Sequence, residues 1–124
     1  MERKETYTLD QVLSEVKPYD AKIGNRFVEY DGDQIKMESQ RYRLFKRDGC
    51  DCVKCSIKGT FFAKERHIAE GRFHFNLYGL DENGDEVMIT KDHMIPKSIG
   101  GKNNLSNYQV LCSTCNWDKG NKIE

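Results

Sequence analysis

"DHMIPKSIGGKNNLSNYQVLCSTCNWDKGN", residues 92 to 121, puts an acid beside an imidazole, a Gly-Gly turn, five asparagines and a C-x-x-C into thirty residues. Such a stretch is either a loop-rich tail with two stray cysteines or a constructed polar site. What flanks and fills it favours the second. "EVMIT" (residues 86–90) reads as a strand running directly into Asp92, so Asp92-His93 sits at a strand end. "PKSIGGKNNLSN" is a loop by composition, "YQVL" a short strand, and a brief helix from Cys115 stops at Gly120. Strand, loop, strand and helix bring three polar side chains together: Asp92, His93 and Asn116.

The cysteines explain what fixes that helix. Cys52-Val-Lys-Cys55 and Cys112-Ser-Thr-Cys115 are two C-x-x-C knuckles, each able to point two thiolates at one tetrahedral ion. The long gap between them predicts a subdomain inserted between the knuckles, its ends tied by one structural zinc. An odd cysteine count in an intracellular chain argues against a disulfide framework, and reduced buried thiols or a redox pair are the alternative. Cys50 is the spare; its spacing makes Cys52 the better ligand. His67 and His74 read as ordinary surface or strand residues.

The rest of the chain reads as an extension. "TYTLDQVLSEV" offers Thr8 or Asp10 as an N-cap with Leu9, Val12, Leu13 and Val16 at helical spacing, and Pro18 ends the helix. Phe27–Tyr30 and Gln34–Met37 read as two strands around an Asp-Gly turn. "SQRYRLFKRDG" is a second helix, capped by Ser39 and closed by Gly49. "GTFFAKERH" and "RFHFNLYGL" look extended, Phe73, Phe75 and Leu77 alternating with polar neighbours.

The 124 residues bound the chain to one domain, small enough for a structural metal to matter. Residues 1–49 are a helix and hairpin extension, and residues 50–124 a zinc-stabilised core. The N-terminus has no apolar h-region and no run of eighteen apolar residues occurs, so an intracellular, cytoplasmic protein without a membrane span is expected. The formal net charge is zero but segregated: residues 39–68 carry eight Lys/Arg against three Asp/Glu. Arg41, Arg43, Lys46 and Arg47 in the second helix are candidates for a phosphate-facing patch, against the plainer reading of a solvated face.

Asp92-His93-x-x-Pro96-x-Ser98-x-Gly100-Gly101, Asn107 ahead of "YQVLC", and Cys115-Asn116-x-x-Lys119-Gly120 together resemble the HNH endonuclease family. The resemblance covers residues 92 to 122 and, through the first knuckle, residues 52 to 55. It implies an α+β fold: a ββα-metal core with a paired C-x-x-C zinc site. It further implies that His93 is the general base taking a proton from the attacking water, a task suited to imidazole. Asp92 and Asn116 would ligate a catalytic divalent ion, and Asn107 would hold the loop and orient the His93 ring.

Many family members have a final histidine where this chain has Asn116. A carboxylate plus an amide oxygen is a hard oxygen donor set that suits magnesium, with manganese or nickel as other divalent candidates. The partner implied is DNA, expected to be double-stranded. One site per chain makes a nick natural. Lys97, Lys119 and Lys122 are candidate phosphate contacts, although Lys119 and Lys122 suit a helix end equally. Asn116 could instead be a helix cap, and Trp117 reads as core rather than a stacking platform. The competing function is a non-catalytic, zinc-stabilised nucleic-acid-binding or protein-interaction module on the same scaffold.

Overall fold

The computed structural model describes every residue except 19–21, 23, 70, 121, 123 and 124. In chain order it runs β1 (Glu2–Tyr7), α1 (Leu9–Leu13), β2 (Phe27–Tyr30), β3 (Asp33–Lys36), α2 (Gln40–Asp48), β4 (Phe61–Arg66), β5 (His74–Leu80), β6 (Glu86–His93), β7 (Tyr108–Cys112) and α3 (Ser113–Lys119). Two short 3-10 turns, Lys97–Ile99 and Leu105–Asn107, lie between β6 and β7. The strands form an antiparallel sheet in the order β1-β4-β5-β6-β7 and a separate β2-β3 hairpin. This is the α+β class that the sequence implies. No helix among the described residues is long and apolar enough to cross a membrane.

Local signals are realised where the sequence carries them. Thr8 caps α1 in a reciprocal capping box with Gln11, and Val12 is buried. Ser39 caps α2, and Gly49 ends it at a φ of 94°. Asp31 and Gly32, both at positive φ, turn the β2-β3 hairpin. β1 was not expected, because residues 2 to 6 are polar or charged throughout and show no apolar alternation. It pairs with β4 as an edge strand, and Arg3 bridges Glu65 at 2.8 Å and Glu86 at 2.7 Å. The helix α3 also begins earlier than expected, with Cys112 as its N-cap.

The core lies between α1, α2 and the sheet. Tyr7, Tyr30 and Phe75 meet edge to face, with ring centroids 4.8 to 5.4 Å apart. Lys64 is buried beneath the hairpin, where its ammonium donates to the Tyr30 carbonyl at 2.7 Å and pairs with Asp33 at 2.9 Å. The hydrogen bonds from Lys64 hold the Asp33 carboxyl below the ordinary carboxylate range.

The basic patch read onto α2 is largely spent inside the chain. Arg43 is only 2% exposed, its guanidinium on the Glu38 carboxylate at 3.2 Å and the Lys22 carbonyl at 3.2 Å, so it faces no approaching phosphate. That corrects its assignment as a nucleic-acid contact: apolar neighbours Tyr42, Leu44 and Phe45 draw this turn of helix inward. Lys46 donates to the carbonyls of Leu13 and Val16, and Arg47 pairs with Asp48 at 2.7 Å.

The two knuckles converge. The first is a tight turn, closed by Cys52 N–H on the Ile57 carbonyl and docked on β7 by Val53 N–H on the Val110 carbonyl, each at 3.0 Å. The sulfurs of Cys52, Cys55, Cys112 and Cys115 lie within 4.8 Å of one another. A tetrahedral zinc with bonds of about 2.3 Å separates its sulfurs by about 3.8 Å, and Cys55 and Cys112 are 3.7 Å apart. The Cys55 and Cys115 backbone N–H groups point at the Cys52 and Cys112 sulfurs, at 3.5 and 3.4 Å. Burial opposes ionisation of Cys52, but backbone donors, led by Cys55, bring its thiol down to about 6. Burial pushes Cys112 and Cys115 upward, so four thiolates at this spacing would require a cation. The donor set fits zinc.

Because the thiolates have no mutual attraction without that ion, metal removal should loosen the fold. The purified protein is expected to hold one zinc per chain, and a strong chelator or Cys115→Ser to lower the melting temperature sharply. Metal-free protein that melts at the parent temperature would contradict this.

Candidate active site

β6 and β7 pair in a register that sets Asp92 opposite Gln109 and His93 opposite Tyr108. Alternation along β6 then assigns faces: Thr90 and Asp92 lie toward α3, while Lys91 and His93 lie on the side of Tyr108. Because β6 ends at His93, both faces open into one cavity of about 300 Å³, lined among others by Lys91, Asp92, His93, Lys97, Asn116 and Lys119. The structure thus brings together the three polar side chains singled out in the sequence.

Asp92 is 7% exposed, and its recorded partners all fall on one oxygen. Oδ2 accepts from Gln109 Nε2 at 3.0 Å and pairs with Lys119 Nζ at 3.2 Å. Among the described residues nothing bonds Oδ1. Asn116 is held in a parallel way: its Nδ2 donates to Thr90 Oγ1 at 2.9 Å, and that hydroxyl donates to the Leu111 carbonyl at 2.7 Å. The amide is thereby turned so that Oδ1 remains as an acceptor. Asn116 lies within α3 while Cys112 caps the helix, so a capping role for Asn116 does not hold. One carboxylate oxygen and one amide oxygen form a hard donor pair that fits a divalent ion with remaining positions for water or phosphate.

The loop between β6 and β7 is folded back on itself. Gly101 N–H donates to the Pro96 carbonyl at 3.0 Å, and a Cβ on Gly101 would fall 1.8 Å from the Ile95 carbonyl oxygen, so only glycine fits. Asn107 clamps this fold. Its Oδ1 accepts from Ile95 N–H at 2.9 Å, and its Nδ2 donates to the carbonyls of Ile95 and Lys102, both at 3.0 Å. Asn107 therefore holds the loop, but the recorded partner of the His93 ring is a different residue. His93 Nε2 lies 2.7 Å from Asn103 Oδ1. The ring also stands edge-on to Tyr108, with centroids 5.0 Å apart.

Lys119 differs from its sequence reading. It is 1% exposed and its ammonium, bonded to Asp92 Oδ2 and to the His93 carbonyl at 2.9 Å, is not placed to meet a phosphate from solvent. The fourfold spacing that puts Cys115 and Lys119 on one helical face turns both inward. Lys97 stays exposed on the cavity rim, and Lys122 is exposed beyond α3. Trp117 is 88% exposed and is no core residue. It lines a second opening of about 490 Å³ with Thr90, Ser113, Asn116 and Gly120.

Thr90, Asn103, Gln109 and Lys91 were missed in the sequence. Thr90 and Gln109 could have been found by alternation and register once β6 and β7 were paired; Asn103, inside an irregular loop, carried no such signal. Burial, with Arg41 nearby, lowers the Lys91 ammonium pKa.

Comparison with known proteins finds no match among curated proteins or among solved structures. Residues 81–124, the segment that holds Asp92, His93, Asn107 and Asn116, match the family model of the HNH endonucleases.

Proposed function

We propose that the protein is a metal-dependent DNA endonuclease that hydrolyses phosphodiester bonds, with Asp92 and Asn116 holding a divalent ion, magnesium first among the candidates. The observation that carries this reading is the paired commitment of Asp92 Oδ2 and Asn116 Nδ2 to protein partners, which leaves two oxygens for a cation. A divalent ion bound there supplies Lewis-acid stabilisation of the charge that builds on phosphate oxygens.

The chain's own residues do the rest. Asn103 Oδ1 can only accept, so its contact with His93 Nε2 at 2.7 Å supports a proton on Nε2, which would leave Nδ1 with the lone pair. That nitrogen takes the proton of the attacking water. Tyr108 limits ring tilt, and Asn107 holds the loop that carries Asn103. Lys119 fixes the Asp92 carboxylate and the strand end, while its positive charge tempers the affinity of the site for a cation. This same ammonium is what a non-catalytic module would use to neutralise Asp92, and activity separates the two readings.

The test is magnesium-dependent nicking of supercoiled plasmid DNA. The parent should convert it to open circle, and His93→Ala should lose roughly 10²- to 10⁴-fold in rate with DNA affinity retained. Parent-like cleavage by His93→Ala would overturn the assignment of the base, and no cleavage with magnesium, manganese or nickel would leave the binding module. A second expectation concerns Asn103. Nitrogen NMR of the neutral His93 ring should show the Nε2–H tautomer in the parent and in Asn103→Asp, and a mixture in Asn103→Leu. The Nδ1–H tautomer in the parent would contradict it.

A further inference from the structure

Beside the catalytic cavity lies a cleft of about 340 Å³ lined by Ser39, Arg41, Thr90 and Lys91. It joins the candidate site directly, because Lys91 lines both spaces and Thr90 is the residue that orients Asn116. Two cations reach it from different elements, Arg41 from the first turn of α2 and Lys91 from β6. Among the described residues no carboxylate forms an ion pair with either. The Lys91 ammonium rests on the Tyr108 ring at 4.2 Å. Arg41 donates through one Nη to the Phe75 carbonyl, and among the described residues its buried Nε has no acceptor. This contrasts with Arg43, Lys46 and Arg47, which the chain engages itself.

We propose that this cleft binds the phosphate adjacent to the scissile one on the same DNA strand, with Arg41 and Lys91 sharing its charge. The proposal rests on the nuclease reading and narrows how the substrate is held. Lys91 and His93 are alternate residues on one face of β6, about 6.8 Å apart at the rise of an antiparallel strand, close to the spacing of neighbouring phosphates along a nucleotide chain. Both lie against Tyr108. A strand whose scissile phosphate lies beside His93, in the cavity that Lys91 also lines, carries its next phosphate toward Lys91. There the Arg41 guanidinium, which lines the cleft, completes the site, a group suited to bridging phosphate oxygens. An acidic peptide offers no such continuity, since its carboxylates do not require a neighbour at the hydrolytic centre.

The experiment measures binding of a labelled DNA duplex by fluorescence anisotropy across a salt series, using zinc-loaded His93→Ala protein so that no cleavage intervenes. Lys91→Met and Arg41→Met, added singly, should each weaken binding and lower the slope of log affinity against log salt by about one. Combined, they should cost less than the sum of the two, because one phosphate is shared. Lys91→Arg should restore the slope, which a folding defect would not allow. Lys58, exposed and paired with Asp51 at 3.6 Å on the first knuckle, is the control, and Lys58→Met should leave the slope unchanged. Slopes for Lys91→Met and Arg41→Met equal to that control would overturn the proposal, and strictly additive losses would overturn the shared phosphate. Plasmid nicking by the parent is read separately. A parent that fails to nick while these slopes fall defeats the nuclease reading and leaves the phosphate cleft standing.

Discussion

The convergence of four cysteine sulfurs within 4.8 Å of one another is the constraint on which the site depends. Cys112 is at once the last residue of β7, the N-cap of α3 and a member of the cluster. Its position fixes where the helix starts and the direction in which it leaves the sheet. Asn116 follows within the same helix, and Lys119 after it. If α3 pivoted about its first turn, the amide would leave Thr90, the ammonium would leave Asp92, and the two candidate ligand oxygens would separate. A seven-residue helix has too few internal hydrogen bonds to hold such an orientation alone. A metal held by the four cysteines would supply what the short helix lacks.

Around this anchor the polar side chains act by exclusion. Gln109 and Lys119 occupy one oxygen of Asp92, and Thr90 occupies the nitrogen of Asn116, so the remaining oxygens are chosen by what the others already do. Loop geometry does the same for His93. Gly101 permits the chain to fold against the Ile95 carbonyl, Asn107 fastens the fold, and Asn103 arrives at the ring. Each arrangement is a set of ordinary hydrogen bonds near 3 Å, and their joint effect is a polar site already ordered, as the proposed chemistry would require.

Much of this was legible in the chain. Ser39 and Gly49 bound α2 because capping chemistry is local, the Asp-Gly pair turned its hairpin for the same reason, and the C-x-x-C spacing announced the convergence of four sulfurs. Asp92 and His93 stood at a strand end because the apolar run before them ended there. The strand β1 was illegible: a polar, charged edge strand owes its place to β4 and to Glu65 and Glu86, distant in sequence. Arg43 and Lys46 of α2 misled for a similar reason, since their acceptors at Glu38, Leu13 and Val16 lie outside that helix. Lys119 and Trp117 were read by residue type, yet helical phase decided them, sending the charged residue inward and the indole outward.

The central claim is that a zinc-fixed α3 sets Asn116 against Asp92 as a second, oxygen-lined cation site. Anomalous diffraction from crystals soaked in manganese tests it most directly. A zinc peak among Cys52, Cys55, Cys112 and Cys115, together with a manganese peak bonded to Asp92 Oδ1 and Asn116 Oδ1, is the predicted result. Manganese bound elsewhere, with Asp92 still closed by Lys119 and Asn116 turned away, would contradict it.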